Sequence, residues 1–110
     1  MLLTGKAKKD FLSWYSKDHT YTVESFMLQK LNASSELVKN TYIIEWFDSV
    51  GIYINIFHDF NGRFFFNIDN EDSTIKSNFG TSNYNNRIEC TRKSIEHANE
   101  LYNNRNNNQD

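Results

Sequence analysis

Two alternating runs on either side of an Asn-Gly pair constrain the fold of this chain more than any other feature. The run IYINIF has isoleucine at every second position and Tyr53, Asn55 and Phe57 between them, which is the period-two pattern of a β-strand. The run RFFFNIDN, which follows Gly62, has the composition of a returning strand. We therefore expect an antiparallel hairpin whose isoleucine face covers a core.

The residues that face each other across the hairpin select its loop. A two-residue loop at the Asn-Gly pair would set polar residues opposite apolar ones on both faces. A loop of residues 60–62, closed by Gly62 in the left-handed conformation, sets like residues opposite each other. We therefore predict the three-residue loop. The predicted pairs are Asp59 with Arg63, Phe57 with Phe65, Ile56 with Phe66, Asn55 with Asn67, and Ile54 with Ile68.

Helical patterns precede the hairpin. Thr4 is placed to cap a first helix, GKAKKDFLSWYSK, through its hydroxyl, and residues 22–31 predict a second, short helix. The third, ELVKNTYIIEWFDSV, follows two serines that can cap it, and we expect it to end near Gly51. It is apolar over a broad arc that begins at Leu37 and Val38, which is typical of a helix at the centre of a core.

The second half of the chain completes the fold. TIKSNF predicts a third strand after the acidic turn DNEDS, and Thr81 or Ser82 is placed to cap a long helix whose apolar stripe starts at Tyr84. The sequence thus predicts a single α+β domain over residues 1–103, with N-terminal helices, a three-stranded antiparallel meander and a long C-terminal helix. The Asn-rich tail, residues 104–110, has no apolar residue and is predicted to be disordered.

Composition narrows the possible settings and partners. The formal net charge of -2 gives no general attraction to nucleic acid or to anionic membranes. Cys90 is the only cysteine, so an intramolecular disulfide cannot form and a reducing compartment is the simpler expectation. No apolar stretch approaches the roughly 18 residues of a membrane helix, and the first residues lack a signal-peptide core. We expect a cytoplasmic protein that does not associate with membranes.

Catalytic and metal-binding patterns are sparse. The histidines, His19, His58 and His97, have no His or Cys at metal-ligand spacing, and no phosphate-binding loop or nucleophile motif is present. One pattern, Arg92 and His97 in RKSIEH, resembles the Arg and His pair of HEPN ribonucleases, where both side chains help cleave RNA in a paired site. Lys93 departs from the polar residue that usually follows that Arg. The main expectation is a protein without catalytic activity or cofactor, and an HEPN-like RNase is an alternative.

Large rings on the outward face of the hairpin indicate a binding surface. Tyr53, Phe57 and Phe65 share the face opposite the isoleucines, and Arg63 lies beside them. Such a face is either covered by the N-terminal helices, through Phe11, Trp14 and Phe26, or used as a protein interface.

Basic residues offer a different surface. Lys6, Lys8 and Lys9 cluster on the first helix and Arg87 lies on the last, where interleaved aromatics suit single-stranded bases. Glu89 and other acidic residues reduce the net positive charge of the last helix. The alternative function that follows is a small nucleic-acid-binding accessory protein.

Three segments carry a resemblance that suggests an origin. GKAKKDFLSWY, EWFDSVGIYINI and RKSIEHANELYNN resemble, in the same order, small proteins encoded by phages and prophages of Bacteroidota. The last helix departs from their usual acidic-Ala start at Arg87, Ile88 and Glu89. Small non-enzymatic phage proteins of this size resemble inhibitors of host immunity, of which anti-CRISPR proteins are the best-known case, and type VI-B effectors occur in Bacteroidota. The resemblance implies a phage-derived inhibitor that binds a bacterial defence protein, such as a CRISPR ribonucleoprotein effector.

Overall fold

The fold combines helices with an antiparallel sheet. The structure, a computed structural model, describes residues 1–18, 30–31, 33–70, 74–76 and 83–107. Within these ranges the predicted α+β architecture is confirmed. The elements, in chain order, are α1 (Gly5–Asp18), α2 (Glu36–Ser49), β1 (Tyr53–His58), β2 (Phe64–Asp69), β3 (Thr74–Lys76) and α3 (Arg87–Asn107).

The hairpin of β1 and β2 has the predicted register. Phe57 lies opposite Phe65, and all the other predicted strand pairs are present. The amide of Asp59 donates to the carbonyl of Arg63 at 3.0 Å, and the amide of Gly62 donates to the carbonyl of Asp59 at 3.3 Å. Gly62 has a φ of 74°, a left-handed conformation that strains residues with a Cβ atom. The three-residue loop is therefore confirmed.

The segment Thr74–Lys76 lies along the other edge of β2. It runs antiparallel, with Ile75 opposite Ile68. Residues 71–73 and 77–79 of the predicted turn and third strand are outside the described residues, so the full meander stays a prediction. The same holds for most of the predicted helix at 22–31.

Helix α2 begins and ends where the sequence indicates. Ser35 caps it, because its hydroxyl oxygen accepts from the amide of Val38 at 3.3 Å. At the other end Gly51 has a φ of 81°, and the amide of Ile52 donates to the carbonyl of Phe47 at 2.9 Å. This bond closes a Schellman motif, which lets the chain enter β1 directly.

The buried face of α2 differs from the predicted arc. The buried positions are Asn40, Ile43, Trp46 and Phe47, whereas Leu37 is 69% exposed and Val38 is also exposed. A helix that is apolar on nearly all sides has no single face that periodicity can select. Packing of the largest rings against α1 and α3 decides the rotation, and it leaves the first turn of α2 in solvent.

Helix α3 starts later and ends later than predicted. Asn86 caps it by accepting from the amide of Glu89 at 2.8 Å, so the predicted cap at residues 81–82 is wrong. Tyr84 lies outside the helix and forms a β-bridge with Phe64, with backbone bonds of 2.8 and 2.9 Å. The pairing groups on the edge of β2 hold this residue in extended conformation.

The end of α3 reaches into the Asn-rich tail. The helix continues to Asn107, four residues into the segment 104–110 that the sequence predicts to be disordered. The guanidinium of Arg105 donates to the carbonyl of Val50 at 3.1 Å, which ties the last turn to the end of α2. Residues 108–110 lie outside the described residues.

Helix α1 is fixed by side chains of α3. The carbonyl of Thr4 accepts from the amide of Lys8, but its hydroxyl accepts from the side-chain amide of Asn99 at 2.9 Å. Asn103 accepts from the amide of Ala7 at 2.8 Å and so takes the capping role predicted for the Thr4 hydroxyl. The core lies between these helices and the isoleucine face of the hairpin.

Candidate functional site

The outward face of the hairpin carries the aromatic residues named from the sequence. Phe57 is half-buried, and its ring centroid lies 5.7 Å from that of Phe65, with the planes inclined at 23°. Tyr53 is exposed further along the same face of β1, about 14 Å from Phe57 at 3.4 Å per residue. The strand register therefore brings these three residues onto one surface.

Phe65, the cross-strand partner of Phe57 on the same face, is only 3% exposed, so the outward face is covered at this position and Phe65 offers little surface of its own. Of the cover predicted from the N-terminal helices, the part expected from α1 is not formed. Phe11 lies in the core, with its ring 6.0 Å from that of Trp46, and Trp14 packs against the same core. Phe26 lies outside the described residues.

Arg63 is fixed at the edge of this aromatic face. One guanidinium nitrogen donates to the side-chain oxygens of Asn85 at 2.5 Å and of Asn83 at 3.3 Å. These two residues flank Tyr84, whose β-bridge to β2 sets them on the outward side. Because amide oxygens carry no net charge, Arg63 is held in place while its positive charge remains available to a partner.

The tip of the hairpin presents Phe60, which is 108% exposed, so none of its ring is covered. The turn beneath it is fixed by Asp59. One carboxylate oxygen of Asp59 accepts from the amides of Asn61 at 2.9 Å and Arg63 at 3.0 Å. The ring contributes no packing to the fold, yet the turn that carries it is held by these two side-chain hydrogen bonds and by the backbone bonds between Asp59 and residues 62 and 63.

Sequence reasoning missed Phe60 by treating it only as a loop residue. Turn positions favour Gly, Asn, Asp, Ser and Pro, so a large ring between Asp59 and Asn61 was itself a signal. We define the hairpin-tip surface as Phe57, Phe60 and Arg63; Tyr53 lies on the same face as Phe57, but at the opposite end of β1.

The two residues of the RNase alternative point to different neighbours. The guanidinium of Arg92 binds both carboxylate oxygens of Glu36 on α2, which lowers the pKa of that carboxylate. The ring centroid of His97 lies 5.4 Å from that of Phe66. Arg92 and His97 are five positions apart on α3, so their side chains leave the helix axis in directions about 140° apart. Within this chain the pair does not converge on one point.

The basic residues of the nucleic-acid alternative are also separated. Lys6 forms an ion pair with Asp10 at 3.2 Å, and Lys8 and Lys9 share its helix. Arg87 lies at the start of α3, with its guanidinium 5.1 Å from the ring centroid of Phe64. The start of α1 instead contacts α3 near Asn99, 12 residues or about 18 Å further along the helix. The three lysines and Arg87 do not form one patch.

A second exposed apolar area lies between α2 and α3. Leu37 and Ile88 are its exposed side chains, and they border a small cavity of about 80 Å³. The Arg92–Glu36 pair bridges the same two helices. The apolar arc predicted for α2 placed Leu37 in the core instead.

Other classes of site find no support in the described ranges. No group of three His, Cys, Asp or Glu side chains gathers there to hold a metal ion. None of the helices described is both long enough and apolar enough to cross a bilayer. Cys90 is buried, and burial raises the pKa of its thiol to about 11, which disfavours the reactive thiolate.

Comparisons with protein-family models, with curated proteins and with solved structures gave no match. The geometry of the hairpin therefore carries the functional argument.

Proposed function

We propose that this protein is a phage-derived, non-catalytic inhibitor that binds a bacterial immune effector, specifically a CRISPR ribonucleoprotein, through the hairpin-tip surface. The observation that carries the proposal is the uncovered ring of Phe60 on a turn fixed by Asp59. The resemblance of three segments to phage and prophage proteins supports the origin and the choice of a host defence target.

The energetics of the tip favour protein binding. Burying one Phe side chain in a partner pocket gains about 2–3 kcal/mol. The hydrogen bonds of Asp59 already order the turn, so less conformational entropy is lost when the complex forms. Large aromatic residues and Arg dominate binding energy at protein interfaces, and Phe57 and Arg63 stand beside the tip.

The proposal extends to the third strand of the sheet, to the compartment and to the alternative function. We propose that Thr74–Lys76 is part of a longer third strand, which makes the sheet a three-stranded meander and braces β2 behind the hairpin. The protein acts in the cytoplasm of the bacterial host, where its target assembles. The nucleic-acid-binding alternative has weaker support, because Lys6, Lys8 and Lys9 lie far from Arg87 on the folded chain.

An interference assay tests the function. Cells carrying a type VI-B effector and a matching guide are challenged with a target phage, with and without this protein. We expect the wild type to restore plaque formation and Phe60→Ser to restore it much less. Leu37→Ser is the matched control, because it removes an exposed apolar side chain on α2 and should keep full activity.

Two results would count against the proposal. If the protein restores plaque formation against none of the CRISPR subtypes, in hosts that express it, the proposed inhibitor function is refuted. A salt-sensitive shift of single-stranded RNA by the protein alone, with no binding to the effector, would favour the nucleic-acid alternative.

A further inference from the structure

Strand β1 is at the edge of the sheet, and the backbone amides and carbonyls on its outer side can pair with another strand. The strand order is β1, β2, β3. Because Asp59 donates to Arg63, the odd-numbered residues of β1 point their amides and carbonyls toward β2. The amides and carbonyls of Ile54 and Ile56 therefore point outward. In the described part of the chain, no backbone hydrogen bond reaches them from outside the hairpin.

The sequence of this edge strand is symmetric in residue type: the same order of aromatic, aliphatic and polar residues is found in either chain direction. YINIF has Asn55 at its centre, isoleucine on both sides and an aromatic residue at both ends. Two copies that pair antiparallel about Asn55 set Ile54 opposite Ile56 of the partner subunit and Tyr53 opposite Phe57 of the partner subunit. Every apolar residue then faces an apolar one, which is the arrangement that stabilises cross-strand pairs.

The charge pattern of β1 fits a second copy as well. None of its six residues, YINIFH, is Asp, Glu, Lys or Arg, and the whole chain has no proline. Natural edge strands use lysine, proline or bulges to prevent pairing with another chain. An edge without these protections, and without any like charges to oppose each other, suits pairing with itself.

We propose that two copies of this protein form a dimer through β1, antiparallel about a twofold axis beside Asn55. Ile54 exchanges backbone hydrogen bonds with Ile56 of the partner subunit, and the two sheets become one. Such an interface uses the same patch on both copies and closes without growing into a filament. The two Phe60 tips then lie at opposite ends of the joint, about 30 Å apart, and both remain open.

A disulfide tests the register directly. Asn55 is a non-hydrogen-bonded position on the axis, where Cα atoms of facing residues lie about 4.5 Å apart, within the range of a disulfide. We expect Asn55→Cys to form a covalent dimer under mild oxidation at low micromolar protein. Asn67→Cys is the control, because its two copies are separated by three strand spacings, about 14 Å. Native Cys90 is buried and should not interfere.

The proposed register requires a cross-link in Asn55→Cys and none in Asn67→Cys. Equal cross-linking of both variants, or of neither, would overturn the proposed register.

A charge variant tests the dimer without a covalent bond. Asn55→Lys brings two like charges face to face on the axis, and we expect it to raise the dimer dissociation constant about tenfold in sedimentation equilibrium. The monomer should still fold, because Asn55 already contacts the carboxylate of Asp69, which can pair with the new lysine. Asn67→Lys, on the central strand, should leave dimerisation unchanged. A wild-type protein that is monomeric up to about 100 μM, or a monomer that binds an added extended peptide along β1, would refute the proposal.

Discussion

Removing the hydroxyl of Tyr102 isolates one hydrogen bond between the last helix and the first. That hydroxyl donates to a carboxylate oxygen of Asp10 at 2.5 Å. A hydrogen bond to a charged group contributes about 1.5–3 kcal/mol. Asp10 keeps its ion pair with Lys6 at 3.2 Å, and its side chain is 30% exposed, so water can replace the hydroxyl. The lower end of the range applies, and we expect Tyr102→Phe to lower the free energy of unfolding by about 1.5 kcal/mol at pH 7.

The same bond makes a pH-dependent contribution. The hydroxyl of Tyr102 is the main cause of a lowered pKa of the Asp10 carboxyl, with Lys6 adding to it. A carboxyl whose pKa is lower in the folded state stabilises the fold above its unfolded pKa, near 4, and loses that contribution as the pH falls through the folded pKa. The difference between wild type and Tyr102→Phe should therefore be largest at pH 7 and shrink below about pH 4.

Urea unfolding at pH 7 and at pH 3 measures both effects. Tyr53→Phe is the matched control, because it removes a hydroxyl from an exposed ring and should leave the free energy of unfolding unchanged. A Tyr102→Phe variant as stable as this control at pH 7 would show that the hydrogen bond contributes nothing. An equal loss of free energy at pH 3 and at pH 7 would show that the contribution does not depend on ionised Asp10.

Two further predictions concern the hairpin turn and the buried thiol. Gly62→Ala forces a Cβ atom into a φ of 74° and should lower the free energy of unfolding by about 1–2 kcal/mol in thermal unfolding, whereas Gly62→Asn should cost less. An equal cost for both would argue against backbone strain. Cys90 should react with iodoacetamide at pH 8 only after denaturant is added, since it is buried and its pKa is about 11. Labelling of the native protein at pH 8 would contradict the burial of this thiol. The raised pKa of Cys90 also predicts a contribution to the free energy of unfolding that is present below pH 9 and lost as the pH rises toward 11.

The hairpin was predictable because its determinants are local. Side-chain alternation and the left-handed preference of Gly62 fix the register over fewer than 20 residues, and β1 and β2 follow it. The start of α3 was not predictable in the same way. Tyr84 leaves the helical stripe because it pairs with Phe64, a residue 20 positions earlier, and no local pattern reveals that bond.

The ends and faces of the helices show the same limit. The Thr4 hydroxyl looks like a local cap, but Asn99 and Asn103 of α3 bind the first turn of α1 across almost the whole chain. The exposure of Leu37 likewise depends on how α2 rotates against its neighbours.

The candidate site was predicted in part. Tyr53, Phe57 and Arg63 share one face, as the alternation indicated, with Tyr53 and Arg63 exposed and Phe57 half-buried, whereas Phe65 on the same face is buried. Whether an outward-facing ring is covered depends on tertiary packing, which period-two alternation does not encode. Phe60 was overlooked because a turn assignment explains the backbone and says nothing of the side chain.

We propose that Phe60 anchors this protein to a bacterial immune effector. The most direct measurement is the dissociation constant of the purified protein for a purified type VI-B effector loaded with guide RNA, compared among wild type, Phe60→Ser and Leu37→Ser. We expect tight binding by the wild type and by Leu37→Ser. For Phe60→Ser we expect a dissociation constant at least about 30-fold higher, the effect of losing about 2 kcal/mol at a binding hot spot. Equal affinity of Phe60→Ser and wild type, or no binding by the wild type, would contradict it.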